Sequence, residues 1–95
     1  MAKILVIDDE RVARRFIADL LTLDGHEVEM ARNGREGLEI FSTDKFDMVI
    51  TDMIMDEVEG IETIMELRKK KQDLKIIAVS GGGKLGARTH LNFAK

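Results

Sequence analysis

The sequence has no cysteine, which excludes disulfides and thiolate metal sites and fits a reducing compartment. It has no apolar stretch near the roughly 18 residues that a membrane span needs. The first ten residues, a four-residue apolar run followed by acids, do not make a signal peptide. No charge sign is in large excess. Fifteen basic residues stand against 18 acidic ones, for a net charge of -3, which speaks against a nucleic-acid footprint and against a membrane-surface protein. Proline is absent altogether, and there is no internal repeat, low-complexity tract or linker. The expectation is a single domain over 1–95, soluble and cytoplasmic, with no direct nucleic-acid or membrane partner.

What is present is an alternation of short apolar runs with amphipathic stretches. Ile4-Leu5-Val6-Ile7 is unbroken and rich in β-branched residues, the pattern of a strand buried on both faces, and it ends abruptly in Asp8-Asp9-Glu10. Residues 10–23 change to helical period, with Val12, Phe16, Leu20 and Leu23 on one face and Ile17 and Leu21 beside it; Asp24-Gly25 closes the helix. His26 to Met30 alternates polar and apolar, as a half-exposed edge strand does. Asn33 with Glu36 has the spacing of a helix N-cap and its partner, and Leu38 and Phe41 point inward from the helix that follows. Met48-Val49-Ile50, ending in Thr51-Asp52, reads as the third strand. A polar turn from Asp56 to Gly60 leads to a helix with Ile61, Ile64, Met65 and Arg68 at helical spacing. Ile76-Ile77-Ala78-Val79 reads as the fourth strand, Ser80 to Gly83 as a flexible loop, and a weak helix is expected from about Gly86 to the end. Phe16, Phe41, Met48 and Met65 read as core.

This β-α repeat implies an α/β fold, an open, doubly wound parallel sheet with helices on both faces. Placing the alternating strand at an edge and the continuous runs inside gives the order 2-1-3-4 under right-handed crossovers. The fourth strand, apolar on both faces, is then left as an edge, where exposed backbone invites aggregation.

In such a sheet ligands bind at the carboxyl ends of the strands where the order reverses, here between the first and third strands. Asp8 and Asp9 end the first and Asp52 ends the third; strands roughly 4.8 Å apart let these carboxylates converge, with Ser80 at the end of the fourth. Three clustered carboxylates repel one another unless one takes a proton or a cation joins them. An all-oxygen donor set suits Mg²⁺, and a carboxylate beside such an ion can attack phosphorus. Gly81-Gly82-Gly83-Lys84 is not a Walker phosphate loop, because Leu85 follows the lysine. Arg68 to Lys71 reads as a solvated helix end, and His26 and His90 as isolated surface residues.

The stretches Ile4 to Glu10, Asp47 to Met55 with Gly60, and Ile77 to Gly81 together resemble the receiver domain of two-component response regulators over almost the whole chain. The resemblance implies the flavodoxin-like order 2-1-3-4-5. It also implies Asp52 as phospho-acceptor and Mg²⁺ held by Asp9, Asp52 and the backbone carbonyl of Ile54, with Asp8 acting through water. Ser80 becomes the hydroxyl that senses the phosphoryl group, and a sensor histidine kinase or phosphotransfer protein the donor. On that reading the chain is not a conventional enzyme; it assists its own phosphorylation and dephosphorylation, and phosphorylation shifts a two-state equilibrium.

The sequence departs from the family's pattern at Asp56 and Glu59. The family's fifth strand, its lysine, its aromatic switch residue and its last helix have no counterpart, and Lys84 does not match that lysine. Truncation would explain this, and so would self-association in which a partner completes the sheet along the uncovered fourth strand. Two other functions are weighed: a receiver-like assembly module without phosphotransfer, and a Mg²⁺-dependent aspartyl phosphatase. The second fits less well, because such enzymes tend to carry Asp-x-Asp on the first strand.

Overall fold

Short β-branched runs buried on two faces can satisfy their backbone only against neighbouring strands, and the amphipathic stretches between them then serve as crossovers. The computed structural model describes residues 1–52, 57–79 and 90–92. Its elements are β1 (Lys3–Ile7), α1 (Arg11–Leu23), β2 (Glu27–Ala31), α2 (Gly34–Phe41), β3 (Met48–Asp52), α3 (Glu57–Lys70), β4 (Lys75–Val79) and β5 (His90–Asn92). The sheet order is β2-β1-β3-β4-β5. β1 to β4 pair in parallel in the expected 2-1-3-4 order, and β2 alternates exposure as an edge strand should.

The far edge differs from expectation. β5 pairs antiparallel with β4, Ile77 with Asn92, Ala78 with Leu91 and Val79 with His90. A helix was expected over these residues, and a bare edge on β4. A stretch of about ten residues is marginal as a helix without packing, whereas β4 offers an unpaired row of backbone groups beside it. The argument for self-association through an uncovered β4 loses its premise, because this chain's own backbone covers that edge. β5 is not the strand the family resemblance led one to look for: it runs the other way, and its three residues include no lysine.

Local chemistry fixes the helix ends. α1 closes in a Schellman motif: the N–H of His26 donates to the carbonyl of Leu21 and that of Gly25 to Thr22, with Gly25 at φ 93°. The imidazole Nδ1 of His26 accepts from the Ala2 N–H at 2.9 Å, so a residue read as an isolated surface histidine ties the start of β1 to β2. Asn33 caps α2, its Oδ1 accepting from the Glu36 N–H at 2.8 Å, while Glu36 Oε1 reaches back to the Arg32 N–H.

The main core lies between the sheet and α2 with α3. Leu5, Ile7, Val49, Ile76 and Ala78 from the strands meet Phe41, Phe46, Ile64, Leu67 and Leu74, and the Phe41 and Phe46 rings stack at 5.7 Å. α3 buries Gly60, Thr63, Ile64 and Leu67, one stripe at helical spacing. Met65, expected in the core, sits one position round the helix and is exposed.

α1 carries the larger correction. Val12, Phe16, Leu20 and Leu23, expected to form its inward face, are all exposed, Phe16 at 63% and Leu23 at 85%. The helix packs instead through Ala18, which is buried, and through Ala13, Arg14, Ile17 and Leu21, which are partly so. At about 100° per residue the apolar arc of α1 spans some two thirds of its circumference, more than one contact with a sheet can cover. Ala13 and Ala18 let the helix approach β1 and β2 closely, and the larger side chains turn outward.

Two substitutions test this packing. A Cβ added at Gly37 would lie 2.5 Å from Ile7 Cδ1 and 2.9 Å from its Cγ1. Gly37→Ala, which would add about 1 kcal/mol at an exposed helical site, is therefore expected to lower stability by about 1–2 kcal/mol, read as a lower urea midpoint at unchanged slope. A raised midpoint would mean that Ile7 moves aside freely. Among the described residues the buried Thr51 hydroxyl has no hydrogen-bond partner, so Thr51→Val is expected to raise stability by about 1 kcal/mol in the same assay.

Candidate functional site

Parallel register brings the acids together. Ile7 of β1 pairs with Thr51 of β3, so the next residue of each strand, Asp8 and Asp52, leaves the sheet at the same level. The Asp8 N–H donates to Ala31 of β2 at 3.0 Å, which extends the ladder by one step before the chain turns. Asp8, Asp9 and Asp52 each bring a carboxylate oxygen within 4.8 Å of the others; Asp8 and Asp52 are buried, and Asp9 faces solvent. This is the convergence that the sequence implied. Ile54 and Ser80, the other expected site residues, lie outside the described residues, as do Asp56, Lys84 and the glycine loop. β4 places Val79 opposite Asp52, and Ser80 follows Val79 directly in the chain.

Two residues missed in the sequence help to set the geometry. Asp8 Oδ1 accepts from the Glu10 N–H at 2.9 Å, a side-chain turn that fixes the carboxylate at the entry to α1. Arg14, one turn into that helix, donates from Nη1 to the Asp8 backbone carbonyl at 2.8 Å. The i to i+2 spacing of Asp8 and Glu10 is a turn signal legible in sequence; the reach of Arg14 depends on how α1 docks.

The electrostatics are those of crowded acids. Burial pushes the Asp8 carboxyl up to about 6; the charges of Asp52 and Asp9 and a side-chain hydrogen bond with Asp52 push the same way, against the opposing Glu10 N–H. Among the described residues, no ion pair to a lysine or arginine offsets Asp8 or Asp9. The donor set is oxygen only, close enough for one ion to touch all three, and it matches a hard divalent cation such as Mg²⁺. A groove of about 520 Å³ lies between α2 and α3 against Arg35, Leu38, Met65 and Lys69 and contains none of these acids. The chemistry follows the strand ends rather than the size of a hollow.

Fold and site together define an open α/β domain with a carboxylate cluster at the point where its strand order reverses. The chain matches the family of the response regulator receiver domain over residues 4–91 and belongs to it. Response regulator MprA of Mycolicibacterium vanbaalenii is 36% identical over 78 residues, 82% of this chain and 34% of that protein, so the chain spans about a third of the length of this curated relative. Among solved structures, response regulator TrrA from Thermotoga maritima in complex with Mg(2+)-BeF is 41% identical with a TM-score of 0.78, covering 85% of this chain and 70% of that one. A chain in the complex of histidine kinase ThkA with TrrA is 37% identical with a TM-score of 0.77, covering 94% and 77%. Among the described residues no helix is long and apolar enough to cross a membrane.

The raised Asp8 value has a definite sign. An acid whose folded-state pKa exceeds its unfolded one stabilises the fold fully below the unfolded value, and that contribution is lost as pH rises through about 6. Asp8→Asn is expected to stabilise the cation-free protein by about 1–2 kcal/mol at pH 7 and by almost nothing at pH 4. Urea midpoints in EDTA at the two pH values check this; an equal effect at both would mean that Asp8 is ionised throughout.

Proposed function

We propose that this single domain over 1–95 is a phospho-accepting switch in which Asp52 takes a phosphoryl group from a phosphohistidine on a sensor histidine kinase or phosphotransfer protein. The observation that carries the proposal is the meeting of Asp8, Asp9 and Asp52 within 4.8 Å at the switch point. Asp9 and Asp52, with the Ile54 backbone carbonyl, are assigned as ligands of Mg²⁺, and Asp8 holds the ion through water. When bound, Mg²⁺ offsets negative charge on the carboxylates and on the phosphoryl oxygens.

Each residue then has a distinct task. The Asp52 carboxylate attacks phosphorus; a P–O bond forms as the donor's P–N bond breaks, and the electron pair returns to the imidazole nitrogen, which takes up a proton. Glu10 N–H and the short turn after β1 hold Asp8 beside the acceptor. Arg14, gripping the Asp8 carbonyl, couples that turn to α1. Ser80, following Val79 at the level of Asp52, is assigned the hydroxyl that hydrogen-bonds the transferred group. Such a domain is a phospho-acceptor that assists its own modification rather than a turnover enzyme, and it works in the cytoplasm without a nucleic-acid or membrane contact of its own.

Intact mass after incubation with a small phosphoryl donor, with and without Mg²⁺, tests the proposal. The wild-type chain is expected to gain one phosphoryl group only with Mg²⁺, and Asp52→Asn to gain none. Mg²⁺ binding without an adduct would favour an assembly module that kept the acids but not the transfer. Continuous turnover of a phosphorylated metabolite would favour a phosphatase.

A further inference from the structure

α1 opens with charges of the wrong sign for a helix start. Arg11, Arg14 and Arg15 fall within its first five residues and no acid lies in its first turn, although the helix dipole favours acids there. Its N-cap residue, Glu10, contributes no side-chain cap bond. The start of the helix is held instead from the end of β1, by Asp8 and Arg14. The Arg14 backbone N–H donates to the Glu10 carbonyl at 2.9 Å, and its Nη1 donates to the Asp8 carbonyl at 2.8 Å. Arg15 pairs with the carboxylate of Asp19, whereas Arg14 turns to the backbone oxygen of a residue that also carries a carboxylate. Arg14 is partly buried and shares a face of α1 with Ile17, Ala18 and Leu21. The docking of α1 on β1 and β2 therefore fixes the point from which its side chain reaches back.

These bonds bear on Asp9 more than on Asp8. Asp8 and Asp52 are buried and placed by the sheet register. Asp9 is exposed and stands beyond the strand, on the turn. Its Cα lies between two planar peptide units. The one before it carries the Asp8 carbonyl, gripped by Arg14. The one after it carries the Glu10 N–H, which donates to Asp8 Oδ1 at 2.9 Å. Holding both planes restricts φ and ψ of Asp9, and with them the direction in which its side chain leaves the chain.

We infer that Arg14 is a positioning residue for the cation site: it sets the backbone of Asp9 so that this exposed carboxylate meets those of Asp8 and Asp52 before a cation arrives. The inference rests on the reading of the three acids as a Mg²⁺ site. The role runs against the residue's own charge. A guanidinium beside the site repels a cation, so Arg14 acting by charge would weaken Mg²⁺ binding. Acting through the peptide planes, it strengthens that binding. The two effects have opposite signs, which makes the role measurable.

Titration of the full chain with Mg²⁺ alone, followed by the amide NMR shifts of Asp9 and Glu10, tests this on folded protein. Arg14→Met keeps the apolar stem of the side chain and removes its donors and charge; it is expected to raise the Kd for Mg²⁺ about tenfold. Arg14→Lys, which keeps a donor and the charge, should stay within about threefold of wild type. Leu21→Ala loosens α1 from the sheet without touching the grip. It should lower the urea midpoint in EDTA and leave the Kd within about twofold of wild type. Tighter or unchanged binding in Arg14→Met would overturn the inference. So would Arg14→Lys as weak as Arg14→Met, or Leu21→Ala as weak as either, since the docking of α1 as a whole would then set the site. A wild-type chain that binds no Mg²⁺ would defeat the reading of the acids as a cation site, and this inference with it; wild-type binding with any of the other outcomes defeats this inference alone.

Discussion

The pairing of β1 with β3, Ile7 against Thr51, is the constraint on which the rest depends. Side chains alternate across a strand, so a slip of β3 by one residue would turn Val49 out of the main core and send Asp52 to the face opposite Asp8. Core and site are therefore set by one choice. The same alternation that buries the odd-numbered residues of β1 against α2 and α3 lifts the acids together at the strand ends. Phe46, Leu67 and Leu74, each at most 1% exposed, hold that register from the helix side.

The register also forces a local cost. Asp8 and Asp52 are brought together where water is partly excluded, and the Asp8 carboxyl responds by holding its proton to about pH 6. A protein selected for stability alone would not keep two buried acids side by side. Glu10 and Arg14 fasten the Asp8 turn by its carboxylate and its carbonyl without cancelling the carboxylate's charge through an ion pair. On the proposed reading, Asp8 and Asp9 are thereby left available to a cation.

The two faces of the sheet are unequal. One is closed by α2 and α3 around stacked phenylalanines; among the described residues the other carries α1, packed against β1 and β2. A helix that must both touch the sheet and carry apolar side chains over most of its circumference can bury only part of them, and the small residues Ala13 and Ala18 decide which part. At the far edge the backbone settles the matter by itself: β5 pairs with β4 because a bare parallel strand presents donors and acceptors that need partners.

Much of this was legible beforehand, because it depends on local chemistry. The four apolar runs gave the parallel strands, the alternation of His26 to Met30 marked the edge, Asn33 and Gly25 marked helix ends, and three acids at two strand termini marked the site. The outward turn of Phe16, the exposure of Met65, the role of His26 against Ala2 and the grip of Arg14 on Asp8 were not legible. Helical period shows that residues share a face, but which arc of a wide apolar face meets the sheet depends on docking distance and on neighbours far away in the chain. By itself the sequence determined the strand order and the location of the acids, since pattern and chain order are local properties. The tertiary structure alone decided which apolar residues reach water and how the last strand runs, since those depend on the competition of distant segments for the same surface.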